Sequence, residues 1–357
     1  MSFNAKLSRG RNEAIDPQDE ISGSTISPPV VAIVLNWNNL PDTLECVESV
    51  RCSDYLNLAV WVVDNCSDVD PTLELHAKYP DVRVFRNTRN LGYAGGNNTG
   101  VRAAIDCGTA YILLLNNDVV VAPDCVRRLV EAAQANRQIG MATPTVFHYH
   151  RRNEVYWDGG VVDWRNGDAR HDSRTLPVEG GITRSEWLDG CSLFVRVSVI
   201  HDIGLLDERY FLYFEDADWS IRAARRGWTN AVVSEARAWH KVNASTGGSD
   251  NPVMRFYIIR NQYLFATTHC SVPGRLRWKL RYLWTMWCAY VRARHEPESR
   301  RVFLSVLASI LSGSTGAYGG TSSTGRFMHG LDAVLTWALR MGSAVKRLLA
   351  RTTKTRS

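Results

Sequence analysis

Asp118 closes the apolar part of the run Tyr111-Ile-Leu-Leu-Leu-Asn-Asn-Asp-Val-Val-Val121, so a single carboxylate is delivered to its end. A run of this length between polar residues reads as a buried parallel strand, and open parallel sheets bind ligands beyond the carboxyl ends of their strands. A second acidic knot, Glu215-Asp216-Ala217-Asp218, lies far downstream in the aromatic setting Tyr213 to Trp219. One acid that holds a metal and another that removes a proton would together serve a metal-assisted group transfer.

Three further polar segments follow predicted strands: Asn36-Trp37-Asn38, Asp64-Asn65, and Asn87 to Asn98, which includes Asn90, Gly95, Gly96 and Asn97. Asp64 can accept hydrogen bonds from a base imide or a ribose hydroxyl. Gly95-Gly96, opening a helix, lets backbone amides approach a bound group closely. Together these loops read as a nucleotide pocket, against the plainer alternatives of a turn cap at Asp64 and simple loop geometry at the glycines. The glycine spacing is not GxGxxG and no GxxxxGK[ST] occurs, which argues against a dinucleotide enzyme and a P-loop ATPase.

The elements that must position these residues alternate strictly. Val30 to Leu35 reads as a strand, Leu40 to Arg51 as a helix, Ala59 to Val63 as a strand, Pro71 to Lys78 as a helix and Val82 to Phe85 as a strand. Ala94 to Cys107 then reads as a helix, Tyr111 to Leu115 as a strand, and Pro123 to Asn136 as a helix with proline in its first turn. Such alternation predicts βαβ units and a central, mostly parallel sheet with helices on both faces. After Gly140 the pattern predicts short strands and turns, a loop-rich insertion. Strand-like residues return at Trp187 to Arg196, and helices are predicted over Asp216 to Arg226 and Val253 to His269.

Composition agrees with a globular α/β protein. The 357 residues are 45% hydrophobic, enough for a sizeable core, and the net charge is +6. No apolar stretch reaches bilayer-spanning length and the polar N-terminus lacks the centre of a secretory signal, so the main body is expected in the cytoplasm. Eight cysteines without CxxC spacing are expected to be buried thiols. The basic excess gathers from Arg275 onward, and no zinc-finger, RNA-recognition or helix-turn-helix pattern favours nucleic acid.

Taken in order, Val34-Leu-Asn-Trp-Asn38, Val62-Val-Asp-Asn65, Asn90-Leu-Gly-Tyr-Ala-Gly-Gly-Asn-Asn98, Leu114-Leu-Asn-Asn-Asp118 and Phe214-Glu-Asp-Ala-Asp-Trp219 resemble the motif set of inverting glycosyltransferase family 2, and most closely its bacterial rhamnosyltransferase-like members. The resemblance covers roughly Val30 to Cys270. It implies a GT-A fold, a nucleotide-diphosphate sugar donor, a divalent cation such as Mg2+ or Mn2+, and a role in cell-wall or polysaccharide biosynthesis. It assigns Asp64 to the nucleotide, with Asn36, Asn90, Gly95, Gly96, Asn97 and Asn117 around the donor. It gives Asp118 to the metal-binding DxD-type motif, in which Asn116 stands where many relatives carry Asp; an asparagine oxygen can ligate a hard cation but adds no charge. His240 resembles the histidine that some relatives place near the metal or the leaving phosphate. The acidic knot matches the motif that supplies the catalytic base, here Asp216 beside Glu215, and Asp189 occupies a position near the acceptor hydroxyl. Arg260-Asn261 is a weaker candidate for the phosphate or a switch-like loop.

Three segments are expected: a leader over 1–29, the transferase over 30–270 and a basic helical region over 271–357. In the last, Leu276, Leu280, Leu283, Trp284, Trp287 and Val291 form an apolar stripe opposite Arg277, Arg281 and Arg292, a pattern that suits an anionic membrane interface or packing on the transferase. A lipid-linked acceptor, common among relatives, would suit a peripheral site at the inner face of the plasma membrane. Three alternatives remain at this level: a noncatalytic nucleotide-sugar binder, hinted at by Asn116; a sugar-phosphate nucleotidyltransferase, whose Gly-rich basic loop is not found at Asn36 to Asn39; and a basic membrane-surface or nucleic-acid adaptor, which would leave the acidic loops without a role.

Overall fold

The structure, a computed structural model, describes residues 27–165, 167–171, 181–242, 251–270 and 296–312, with the single positions 279, 282, 284, 287, 288, 290 and 291. The strand β1 (Val30–Asn36) is apolar up to its last residue, with Val30, Val31, Ile33 and Val34 β-branched, and is buried on both faces, as a central strand must be. It pairs in parallel with β2 (Leu58–Asp64) on one side and with β4 (Tyr111–Asn116) on the other, and β2 pairs in parallel with β3 (Arg83–Arg86). The register sets Asn36 opposite Asp64 and Leu35 opposite Asn116. Polar residues that end three separate apolar runs therefore share one edge of the sheet.

Helices α1 (Leu40–Arg51), α2 (Thr72–Lys78), α3 (Gly92–Asp106) and α4 (Cys125–Ala135) connect these strands, with the short strand β5 (Val119–Val121) preceding α4. The main sheet continues through β6 (Ile139–His148), β7 (Arg151–Trp157), β10 (Ile182–Arg184), β11 (Ser192–Arg196) and β12 (Thr229–His240), in the order β10-β12-β6-β11-β4-β1-β2-β3. Along that order β12, β6, β4, β1, β2 and β3 run one way while β10 and β11 oppose them. The hairpin β8 (Gly160–Asp163) and β9 (Asp168–His171) stands apart as a small second sheet. Helix α5 (Val197–Ile203) follows β11, α6 (Glu215–Arg225) carries the acidic knot, and α7 (Pro252–His269) and α8 (Pro297–Ser312) come last.

The expectation for the region after Gly140 is corrected in part: it opens with a ten-residue strand of the main sheet, buried at eight positions, and only then passes to the shorter strands β7 to β10. Thr143, Pro144 and Thr145 hide its apolar pattern, and the buried Thr143 hydroxyl is satisfied by donating to the Ser192 carbonyl at 2.8 Å. Strand β12 went unread because its register with β6 shifts between Val233 and Arg237, which breaks the two-residue period that marks a strand.

Helices α7 and α8 pack together in a second apolar cluster with Phe256, Tyr257, Val302, Phe303 and Val306 at its centre. Tyr282 and Tyr290 join that cluster and Trp287 lies against it, while Trp284 is exposed. Leu276, Leu280, Leu283, Arg277, Arg281 and Arg292 of the predicted stripe lie outside the described residues, as do residues 1–26 of the leader and everything beyond Ser312. All eight cysteines are free thiols, but only Cys46, Cys125, Cys191 and Cys270 are buried; Cys52 and Cys107 are exposed, contrary to expectation. Among the described residues no helix is long and apolar enough to cross a membrane.

Candidate active site

At the carboxyl edge of β1 and β2 the side chains interlock. Asn36 Nδ2 donates to Asp64 Oδ1 at 2.8 Å, Ser67 Oγ donates to the same oxygen at 2.5 Å, and the Ser67 amide donates to Oδ2 at 3.2 Å. Arg86 Nη1 stands 3.5 Å from Oδ2. The Asp64 carboxylate is completely buried within this net, and a buried carboxylate is tolerated because several donors and a guanidinium face it. Asn36 Oδ1 in turn accepts from Thr43 Oγ1 at 2.7 Å, tying the edge to α1.

Asn65, beside Asp64, fastens the entry to α3. Its Oδ1 accepts from Asn87 Nδ2 and the Leu91 amide, both at 3.0 Å, while its Nδ2 donates to Asn90 Oδ1 at 2.9 Å and the Gly92 carbonyl at 3.0 Å. Asn90 Oδ1 also accepts from the Gly92 amide at 2.8 Å. Helix α3 starts at Gly92, earlier than its sequence predicts, so Gly95 and Gly96 sit one turn into the helix instead of opening it. A Cβ on Gly96 would stand 2.6 Å from Leu35 Cδ1, so the glycine lets the helix approach β1 closely. Asn97 is buried, with Nδ2 donating to the Tyr93 carbonyl at 3.0 Å and Oδ1 without a partner.

Beyond β4 the three residues Asn116, Asn117 and Asp118 diverge. The Asn116 amide donates to the Cys191 carbonyl at 2.9 Å, joining this edge to the start of β11. Asn117 turns to α1, where its Nδ2 donates to the Asn39 carbonyl and to Thr43 Oγ1 at 3.0 and 3.1 Å. Asp118 is buried, with Oδ1 3.1 Å from His240 Nε2 at the end of β12. Burial works against a charged His240, yet the hydrogen bond and negative charge of Asp118 prevail and hold its pKa above the usual range. The next residue, Lys241, donates its amide to the Asp118 carbonyl at 3.0 Å and its Nζ to Asp42 and Glu45 of α1, both at 2.5 Å. These contacts lock the loop that carries Asp118 between α1 and β12.

The second acidic group meets the first across the loop before β11. Asp216 Oδ2 accepts from the Gly190 amide at 2.9 Å, one residue from the Cys191 carbonyl that binds Asn116. Asp189 Oδ1 accepts from the Cys191 amide at 2.8 Å. Tyr156 has its pKa raised by the charge of Asp189 foremost, then by burial, with Cys191, Asp118 and Asp216 adding to it. The buried Cys191 thiol is raised by desolvation and by Asp189, Asp118 and Asp216 together. The carboxylates of residues 118, 189 and 216 thus act on the same two side chains, and the two acidic clusters converge on one site.

Desolvation, then the neighbouring Asp189, pushes the half-buried Asp216 up to about 7. Glu215 is buried, its Oε2 lacks a partner, and burial followed by the Asp216 charge raises its pKa well above the ordinary range. Tyr93, whose hydroxyl donates to the Gly190 carbonyl at 2.5 Å, is raised by desolvation and by Glu215, Asp216 and Asp189. A carboxyl that titrates near neutrality is suited to general-base work. Sequence reasoning gave no role to Tyr93, Tyr156, Lys241 and Cys191, which reach the site from α3, β7 and the ends of β12 and β11; Tyr93 stands inside the Asn90 to Asn98 motif, and no motif marks the other three.

No group of three or more His, Cys, Asp or Glu side chains among the described residues is placed to hold a metal ion. The pair Asp118 and His240 nevertheless offers a carboxylate Oδ1 and an imidazole Nε2 that stand 3.1 Å apart, close enough to face one ion. Two protein ligands fit a divalent cation that draws its remaining oxygens from a bound diphosphate.

The profile of Glycosyl transferase family 2 matches residues 31–184, and that of Glycosyl transferase family group 2 matches residues 111–342. The chain is 26% identical over 275 residues to N-acetylglucosaminyl-diphospho-decaprenol L-rhamnosyltransferase of Mycobacterium tuberculosis, covering 71% of this chain and 89% of that one. It is 23% identical over 219 residues to dTDP-rhamnosyl transferase RfbF of Shigella flexneri, covering 58% and 70% respectively. The crystal structure of GalNAc-T7 with UDP, GalNAc and Mn2+ superposes with a TM-score of 0.54 at 16% identity, over 86% of this chain and 55% of that one. The chain spans about half the length of that structure, and the superposition identifies the α/β architecture as the GT-A fold.

Proposed function

The chain belongs to glycosyltransferase family 2, and on that premise we propose that it moves a hexose, rhamnose in the first instance, from a nucleoside-diphosphate donor to a hydroxyl of a lipid-linked or polysaccharide acceptor with inversion at the anomeric carbon. The observation that carries this reading is the meeting of Asp118 and Asp216 on either side of the β4 and β11 junction. Asp216 removes the acceptor proton as the oxygen attacks from the face opposite the leaving diphosphate, and Asp189 orients that hydroxyl. The Asn36, Asp64 and Asn65 edge, with Asn90 and the first turn of α3, takes the nucleotide. Asp118 and His240 would hold a divalent cation, Mg2+ or Mn2+, which when bound supplies positive charge to the diphosphate; Asn116 would contribute a neutral oxygen.

Rhamnose and a lipid-linked acceptor are supported by the names of two relatives, one acting on N-acetylglucosaminyl-diphospho-decaprenol and one using a dTDP-rhamnosyl donor. Such an acceptor would bring the enzyme to an anionic membrane surface at the cytoplasmic face, a location that the basic, tryptophan-containing C-terminal sequence supports. Incubation with Mn2+ or Mg2+ and a panel of nucleotide sugars, with free nucleoside diphosphate measured, tests the reading: acceptor-dependent release from one donor is expected. A noncatalytic binder would release none, and a nucleotidyltransferase would instead consume nucleoside triphosphate.

A further inference from the structure

The segment that leads into the acidic knot has an unusual backbone. Phe211, Tyr213 and Phe214 have φ of 64°, 70° and 73°, in the left-handed region that bulky side chains seldom adopt. Residues held there persist only when their surroundings over-determine them. Phe214 directly precedes the first turn of α6, in which Glu215 and Asp216 sit, so any relaxation of this segment re-aims Asp216.

The restraint comes from α7. Asn261 is fully buried, and its Nδ2 donates toward the carbonyls of Tyr210, Leu212 and Tyr213 at 2.9, 2.7 and 2.7 Å. Three acceptors around one nitrogen dictate which end of the amide faces the segment, and Arg260 Nε donates to the other end, Oδ1, at 2.8 Å. Arg260 Nη2 adds hydrogen bonds to the carbonyls of Arg209 and Tyr210 at 2.8 and 2.6 Å. The ring of Phe211 stacks on Tyr257 with centroids 5.0 Å apart, one turn earlier on the same helix.

We propose that Asn261, oriented by Arg260, is a positioning residue for the catalytic base: it holds Tyr210 to Phe214 in the left-handed path that places Asp216 against Gly190. The proposal rests on the reading of Asp216 as the base. It makes α7, and the α8 cluster packed on it, part of the catalytic apparatus.

The test uses Asn261→Leu, which keeps the volume and removes the donors, with Asp216→Asn as reference, in the full-length protein below its melting temperature. Asn261→Leu is expected to lower kcat about ten- to a hundredfold, as small displacements of a reacting group do, with donor KM and nucleoside-diphosphate affinity within about twofold of wild type because the donor edge lies elsewhere. The acid limb of its pH-rate profile should move down, because an Asp216 released from the loop is better hydrated. Unchanged kcat in the folded variant overturns the proposal, and so does a loss that merely tracks the folded fraction while the acid limb stays put. If Asn261→Leu does not fold, Arg260→Lys must show a smaller loss confined to kcat, and its absence counts equally against the proposal. A near-normal rate for Asp216→Asn overturns the base assignment itself and this proposal with it, whereas a dead Asp216→Asn with a normal Asn261→Leu overturns the positioning claim alone.

Discussion

Replacing Asp216 by Asn should abolish most activity and at the same time change how stability depends on pH. The carboxyl titrates near 7 in the folded chain, against an ordinary value of 3.8, because burial and Asp189 disfavour its charge. Between those two values the folded state keeps a proton that the unfolded state has released, so wild-type stability falls as pH rises through that window. From about pH 5 to about pH 8 the fall attributable to this group is roughly 2–3 kcal/mol, at about 1.4 kcal/mol for each pH unit below the folded pKa. Asn cannot ionise, so the variant lacks this fall. Asn offers one acceptor oxygen to the Gly190 and Ala217 amides where the carboxylate offers two; the protonated carboxyl also offers one carbonyl oxygen, so this difference is already contained in the folded pKa and adds no further pH dependence. Denaturant melts at the two pH values should therefore show the variant gaining about 2–3 kcal/mol on wild type as pH rises, while kcat drops by about a hundred- to ten-thousandfold. A stability difference that does not change with pH would refute the raised pKa, and a near-normal kcat would refute the role assigned to the carboxylate.

Wild-type kcat/KM should rise with pH through an acid limb near 7, set by Asp216; a limb at ordinary carboxylate pH would place the base elsewhere. Asp118→Asn removes the charge that holds His240 up, so the His240 pKa in the metal-free protein, followed by NMR titration, should fall, and nucleoside-diphosphate affinity in Mn2+ should weaken about tenfold or more. Gly96→Ala pushes a methyl group into Leu35 and should cost about 1–3 kcal/mol in thermal unfolding. Lys241→Met breaks the ion pairs with Asp42 and Glu45, which are partly exposed; a loss of about 1 kcal/mol or less is expected, smaller still at high salt.

The parallel half of the fold was legible because its physics is local. Val30 to Leu35 and Tyr111 to Leu115 are continuous apolar runs, and the predicted and observed α1 coincide, its start fixed in the structure by Asn39 as N-cap and Pro41 in the first turn. Polar residues that end such runs share an edge as soon as the strands pair, which is why Asn36, Asp64 and Asn116 were found. What was not legible depends on contacts distant in sequence. Strand β12 hides behind its register shift, and with it the reason His240 reaches Asp118. Nothing local announces that Asn117 faces α1, that Gly96 serves helix packing, or that Tyr93 and Tyr156 enter the acidic site. The roles of Arg260 and Asn261 became readable only with the carbonyls of the segment before α6 around them.

The central claim, that the acids of residues 118 and 216 act from opposite sides of one anomeric carbon, fixes the stereochemistry of transfer. The anomeric configuration of the product, read by NMR from the proton coupling at the new glycosidic linkage, should be inverted relative to the donor sugar. A product that retains the donor configuration would contradict the account.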